Sequence, residues 1–205
     1  MNAVQTVNDD EKEILQEIMN IAFGKATADL AEVIDIYVVL SVPNIEIINA
    51  GATPDFIKKS IETDEVITLI QQKFWGEFNG EGLLVFPDNA GKELISVLDE
   101  SEDSFGDKPL DHMENDVLLE VGNILIGACV GKVAELLSTI VTYSPPQLIR
   151  NNEDIKEFQF SFDDTQSAIL MKTLFKFKGQ DISGLLLIFT NQESIEWLKK
   201  ALNNF

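Results

Sequence analysis

Residues 17–26 read EIMNIAFGKA, and residues 120–129 read EVGNILIGAC. In each, a Glu is followed three residues later by an Asn and four residues after that by a Gly. Glu17 and Glu120, Asn20 and Asn123, and Gly24 and Gly127 are all 103 residues apart, and so are Pro43 and Pro146 (146 − 43 = 103). SVPNIEI at 41–47 therefore faces SPPQLI at 144–149. Further on, GLLVFPD at 82–88 resembles GLLLIFTN at 184–191, with the offset changed by one. A period that covers nearly all of a 205-residue chain marks an internal repeat.

Both halves carry the same succession of patterns. A long helix comes first, over 9–33 and 112–138. Asn8-Asp9-Asp10 and Asp111 stand at the two starts as capping and first-turn acidic residues. A β-rich run follows, 34–42 and 139–144, which Pro43 and Pro146 interrupt or end. Strands are expected at 45–49, 65–78 and 82–87, and again at 157–163, 167–178 and 184–190. Near-continuous apolar runs such as GLLLIF suit strands buried in a sheet. Amphipathic helices close the halves at 89–98 and 191–202. The acidic stretch 99–111, DESEDSFGDKPLD, carries Gly and Pro and forms the seam. The expected fold is one α/β (α+β) domain over 1–205, built from two repeats, about 9–98 and 112–205. Strand-to-strand links without helices favour a largely antiparallel sheet with pseudo-two-fold symmetry.

Composition removes several function classes. The 35 acidic residues outnumber the 15 basic ones, for a formal charge of −20. Nucleic acid and anionic membrane surfaces would be repelled. No apolar run approaches the roughly 18 residues of a membrane span, and the N-terminus lacks a signal-peptide pattern. One cysteine, Cys129, excludes an intrachain disulfide framework and a Cys-rich zinc site, and is expected as a buried reduced thiol. The cytoplasm is the expected compartment. With a single histidine, His112, a Ser-His-Asp triad or a His-based metal site has little to be built from. The Gly-rich run GEFNGEG at 76–82 reads as a turn, because it does not follow a strand and open a helix.

At about 100° per residue, Glu13, Glu17, Asn20 and Gly24 fall on one stripe of the first helix. Ile14, Leu15, Ile18, Met19, Ile21 and Ala22 cover the opposite arc, so the stripe is expected to face solvent. Asp116, Glu120, Asn123 and Gly127 repeat the stripe on the second helix. Phe23 and Ile126 are expected at its edge, as apolar flanks for a partner. The simplest alternative is a solvated helix face, which accounts well for any single Glu. It accounts poorly for Asn and Gly, which sacrifice helix propensity twice on the same face. Gly122 and Gly131 also lower propensity in the second helix, and they are candidates for packing roles.

Asn does not titrate, so a Glu and an Asn one turn apart are not an acid/base pair. A neutral carboxamide can hold a water beside something already negative, as phosphoryl transfer requires. The Glu is suited to a cation. An exposed helix with no pocket of its own implies that the rest of the site, including any metal, lies on a partner.

The pattern [DS]-x3-E-x2-N-x22-P resembles the signature of the CheC/CheX/FliY phosphatases of chemotaxis. It is complete in Asp116, Glu120, Asn123 and Pro146. Glu17, Asn20 and Pro43 match in the first repeat, where Glu13 replaces the family's Asp or Ser. Two sites and a length near 200 residues look most like CheC; FliY carries an added flagellar-switch domain for which no room is expected. The resemblance implies hydrolysis of the aspartyl phosphate of the response regulator CheY. Asn20 and Asn123 would orient the water, and Glu17 and Glu120 would dock the regulator's Lys. Asp116, Gly24, Gly127, Phe23 and Ile126 would line the contact. It also implies no cofactor of the chain's own, Mg²⁺ on the regulator, and CheD as a further partner. Two other classes remain: a binding module for phosphorylated regulator, CheD or the flagellar switch, and a small-molecule enzyme. The convex motif and the lone His argue against the last.

Overall fold

The structure, a computed structural model, describes residues 8–34, 37–49, 67–87, 89–98, 110–149, 167–178, 182–190 and 192–202. The first half contributes α1 (Asp9–Ile34), β1 (Val38–Leu40), β2 (Asn44–Asn49), β3 (Ile67–Gly76), β4 (Gly80–Pro87) and α2 (Ala90–Leu98). The second contributes α3 (Leu110–Leu136), β5 (Val141–Tyr143), β6 (Gln147–Ile149), β7 (Ser167–Phe177), β8 (Ser183–Thr190) and α4 (Gln192–Leu202). The expected strand at 157–163 and most of the seam at 99–111 lie outside the described residues.

Local chemistry sets the helix ends. Asn8 and Glu11 form a reciprocal capping box at the start of α1. The Glu11 backbone N–H donates to Asn8 Oδ1 at 2.8 Å, and the Asn8 N–H donates to Glu11 Oε2 at 2.9 Å. At the other long helix the expectation needs correction. The helix opens at Leu110, so Asp111 and His112 lie inside its first turn instead of before it. It stops at Leu136, short of the expected 138. Ser138 adopts a left-handed backbone (φ 56°), and the Thr139 N–H reaches back to the Ala134 carbonyl at 2.9 Å, a Schellman closure.

The eight strands among the described residues form one antiparallel sheet, ordered β1-β7-β8-β4-β3-β5, with β2 also on β7 and β6 also on β3. Pro43 separates β1 from β2 and Pro146 separates β5 from β6, since proline offers no N–H to the ladder. The order is symmetric about the β4–β8 pair, and it interleaves the repeats. The short strands of the first half edge the long hairpin of the second, and those of the second edge the hairpin of the first.

Register also refines the repeat alignment. A Cβ on Gly80 would meet the Phe189 carbonyl and the Phe74 ring; one on Gly184 would meet the Val85 carbonyl and the Phe175 ring. Gly80, not Gly82, is therefore the counterpart of Gly184. Gly82 has a separate reason, because a Cβ there would stand 2.6 Å from Ile126 Cγ2.

Among the described residues, four helices cover one face of the sheet. α1 packs on α3, α2 on α3, and α4 on α1, where Lys199 Nζ lies 3.5 Å from Glu11 Oε2. The main core fills the space between helices and sheet with residues such as Leu15, Ile18, Leu118, Leu125, Phe74, Phe86 and Phe175. A second apolar cluster, including Leu69, Leu83, Leu170 and Phe189, lies on the opposite face of the strands. Contrary to expectation, α3 is long and apolar enough over 112–136 to cross a membrane by length and composition. Here Val117, Leu118, Val121, Leu125, Ile126, Cys129, Val130 and Val133 are buried in the core.

Candidate functional site

Glu13, Glu17, Asn20 and Gly24 on α1 are all exposed, as are Asp116, Glu120 and Asn123 on α3, with Gly127 half-buried. Each stripe lies on a solvent-accessible side of its helix; on α3 that side borders the sheet, where Asn123 meets Gln72 of β3 and the Gly127 carbonyl meets Tyr143 of β5. Nothing lies within 4 Å of an added Cβ at Gly24 or Gly127. Neither glycine is therefore required by packing within the described chain. Gly122 differs, being buried with Ile70 Cγ2 2.5 Å from where its Cβ would stand, and Gly131 faces the Tyr143 hydroxyl at 3.4 Å.

The expected apolar flanks need correction. Phe23 is 3% exposed and Ile126 is fully buried, so both belong to the core and neither is a docking residue. The helix is rotated relative to the expected arc, because α1 and α3 pack on each other as well as on the sheet. That rotation takes Phe23 inward and leaves Ile14 (40%) and Ile21 (38%) in solvent beside the first stripe. At the equivalent positions of α3, Val117 is buried and Ile124 is partly buried against the core.

The two asparagines differ in their surroundings. Asn123 Oδ1 accepts a hydrogen bond from Gln72 Nε2 at 2.7 Å, and the same Nε2 donates to the Ser144 carbonyl at 2.9 Å. Gln72 comes from β3, beneath the helix. Strand pairing makes Thr173 on β7 its counterpart. Thr173 Oγ1 donates to the Ser41 carbonyl at 2.6 Å, as Gln72 does to Ser144. The serines mirror each other too: Ser144 Oγ accepts from the Lys73 N–H at 3.0 Å, and Ser41 Oγ from the Leu174 N–H at 2.9 Å. No hydrogen bond reaches the Asn20 side chain among the described residues.

Sequence reasoning missed Gln72, Ser41 and Ser144. The serines were visible, since they too stand 103 residues apart, two before each repeated proline (144 − 41 = 103). Gln72 left a fainter signal, a Gln-Gln pair inside the apolar strand ITLIQQKFW.

Cys129 is a free, buried thiol, and burial pushes its pKa well up. The Tyr143 hydroxyl donates to the Gly127 carbonyl at 3.2 Å. Its pKa is pushed up to about 12, first by burial and then by the nearby Cys129. Among the described residues, no three His, Cys, Asp or Glu side chains stand together as metal ligands would.

The fold as a whole resembles solved structures. Thermotoga maritima FliY superposes with a TM-score of 0.72 at 15% identity, covering 98% of this chain and 99% of that one. The chain has the CheC/CheX/FliY fold. The FliM middle domain of H. pylori gives a TM-score of 0.61 at 11% identity over 95% of this chain and 99% of that one. In sequence, the chain is 24% identical over 149 residues to the CheY-P phosphatase CheC of Bacillus subtilis (strain 168), covering 72% of this chain and 70% of that protein. No family model matches the chain. A shared fold alone carries no chemistry, so function has to be argued from the motif residues.

Proposed function

We propose that the chain hydrolyses the aspartyl phosphate of a CheY-type response regulator, using Asn20 and Asn123 to orient water and Glu17 and Glu120 to grip the regulator. The observation that carries this reading is the pair of Glu-Asn-Gly stripes, with Glu and Asn exposed in both and open space over each glycine. The glycine gap admits a partner surface close to the helix backbone. The carboxylate reaches a cation on that partner. The neutral carboxamide lies alongside the phosphoryl group without adding charge. Water attacks phosphorus in line, the P–O bond to the regulator's aspartate breaks, and inorganic phosphate leaves with a free carboxylate behind. Charge on the transferring group would be met by the Mg²⁺ that the regulator holds. Positioning is then the main contribution this chain has to make. The resemblance to CheC, a CheY-P phosphatase, supports the same reading.

A second reading is a binding module that docks regulator or flagellar switch without hydrolysis. The shared fold of the FliM middle domain favours it. Decay of phosphorylated CheY-type regulator, measured with and without the chain, separates the two. The expected result is faster decay, reduced in part by Asn20→Ala and by Asn123→Ala and abolished in the double variant. Decay that the double variant leaves as fast as wild type would sink the catalytic reading.

A further inference from the structure

Gln72 sits in the row of β3 that faces the helices, between Ile70 and Phe74, and is 1% exposed. An apolar side chain would suit that row. Its Oε1 is also buried with no hydrogen-bond partner, a destabilising arrangement. Both of its N–H groups, by contrast, are engaged, one by Asn123 Oδ1 and one by the Ser144 carbonyl. The Ser144 bond by itself needs no glutamine, since Thr173 makes the matching bond to Ser41 with a hydroxyl and a far shorter side chain. The extra length of Gln72 serves only the reach to Asn123. Local-rule violations of this kind concentrate at functional sites.

We propose that Gln72 is a positioning residue for Asn123, fixing its carboxamide in one orientation and making the second site the faster of the two. The proposal rests on the phosphatase reading above. A half-turn of the Asn123 amide would set its NH2 against the NH2 of Gln72, donor against donor, so only one orientation is allowed. Oxygen keeps its second lone pair for water, and the NH2 faces outward. Asn20 has Thr173 where Gln72 would be, and its amide can turn freely. A group already held in its reacting geometry avoids the ordering cost at the moment of reaction.

The test uses the full chain carrying Asn20→Ala, so that only the second site acts, and a purified CheY-type regulator with a radiolabelled phosphoryl group. Gln72→Leu keeps the apolar row filled, and Gln72→Thr copies the first site. Both are expected to lower kcat on the order of tenfold, with KM moving less than about twofold. In an Asn123→Ala background that keeps Asn20, Gln72→Leu is expected to change nothing. Side-chain amide NMR supplies a readout independent of turnover: the Asn123 NH2 is rigid, the Asn20 NH2 mobile, and Gln72→Leu makes Asn123 mobile. Unchanged kcat, or an equal loss in the Asn123→Ala background, overturns the positioning role while leaving the phosphatase reading standing. A wild-type chain that does not accelerate decay overturns the phosphatase reading and this proposal with it.

Discussion

Ile70 occupies the space that a side chain on Gly122 would need, with its Cγ2 2.5 Å from an added Cβ. This close seat of α3 on β3 lies next to Asn123 in sequence and one alternation along the strand from Gln72. It brings the helix near enough for Gln72 to span to Asn123. Gly122→Ala is therefore expected to push α3 off the sheet and destabilise the fold by about 1–3 kcal/mol, the usual range for overpacking. Urea denaturation would show it as a lower midpoint; an unchanged or raised midpoint would contradict the seat.

Gly24 and Gly127 should behave in the opposite way. Each lies mid-helix with open space around it, so Ala would gain helix propensity without a clash. Gly24→Ala and Gly127→Ala are expected to stabilise by up to about 1 kcal/mol each. If the gap admits the regulator, the same variants raise KM for phosphorylated regulator. Stabilisation with unchanged KM would mean the gap is unused.

Phe23 and Ile126 are core residues, so their loss should register in stability. Phe23→Ala is expected to cost about 3–5 kcal/mol and Ile126→Ala about 2–5 kcal/mol. Ile21→Ser, on the exposed flank, should stay within about 0.5 kcal/mol. Thermal melts of the three variants rank them; a melt for Ile21→Ser as low as that of Phe23→Ala would reverse the assignment.

Alkaline pH should destabilise the chain over two overlapping ranges. Cys129 and Tyr143 are neutral when protonated, and both have pKa values raised in the folded state, from 9.0 upward and from 10.0 to about 12. The unfolded chain therefore releases these protons first, and stability falls as pH rises. The contribution of Cys129 is complete below about pH 9 and declines above it. That of Tyr143 is complete below about pH 10 and declines until about 12. Denaturant midpoints from pH 7 to 12 should be flatter above 9 for Cys129→Ala and flatter above 10 for Tyr143→Phe. Slopes equal to wild type would remove these groups as the cause.

Most of the architecture was legible because duplication wrote it twice. The 103-residue period marked the helices, the interrupted strands and the outward stripe, and the stripe held because Glu, Asn and Gly sit on one side of a regular helix. The errors arose where tertiary contacts override helical periodicity. Phe23 and Ile126 sit about 80° from the stripe, and only the packing of α1 on α3 decides that this edge is inside. The Gly82 alignment slipped because LLVF is preceded by two glycines, Gly80 and Gly82, and only register tells them apart. Gln72 was out of reach for another reason: its bond to Asn123 spans 51 residues between two elements, and no local pattern reports such a pair.

The interleaved sheet bears on how the chain comes into being. The hairpin of each half is completed at its edge by short strands from the other half. Neither half can finish its sheet during synthesis until the other has emerged, and the pairing of β2 with β7 closes a loop of more than a hundred residues. Such non-local closure slows folding. It also means that two fragments, severed anywhere in 99–109, should each be unstable alone yet reassemble when mixed, since each carries the missing edge of the other. The two motif helices would then be restored together or not at all.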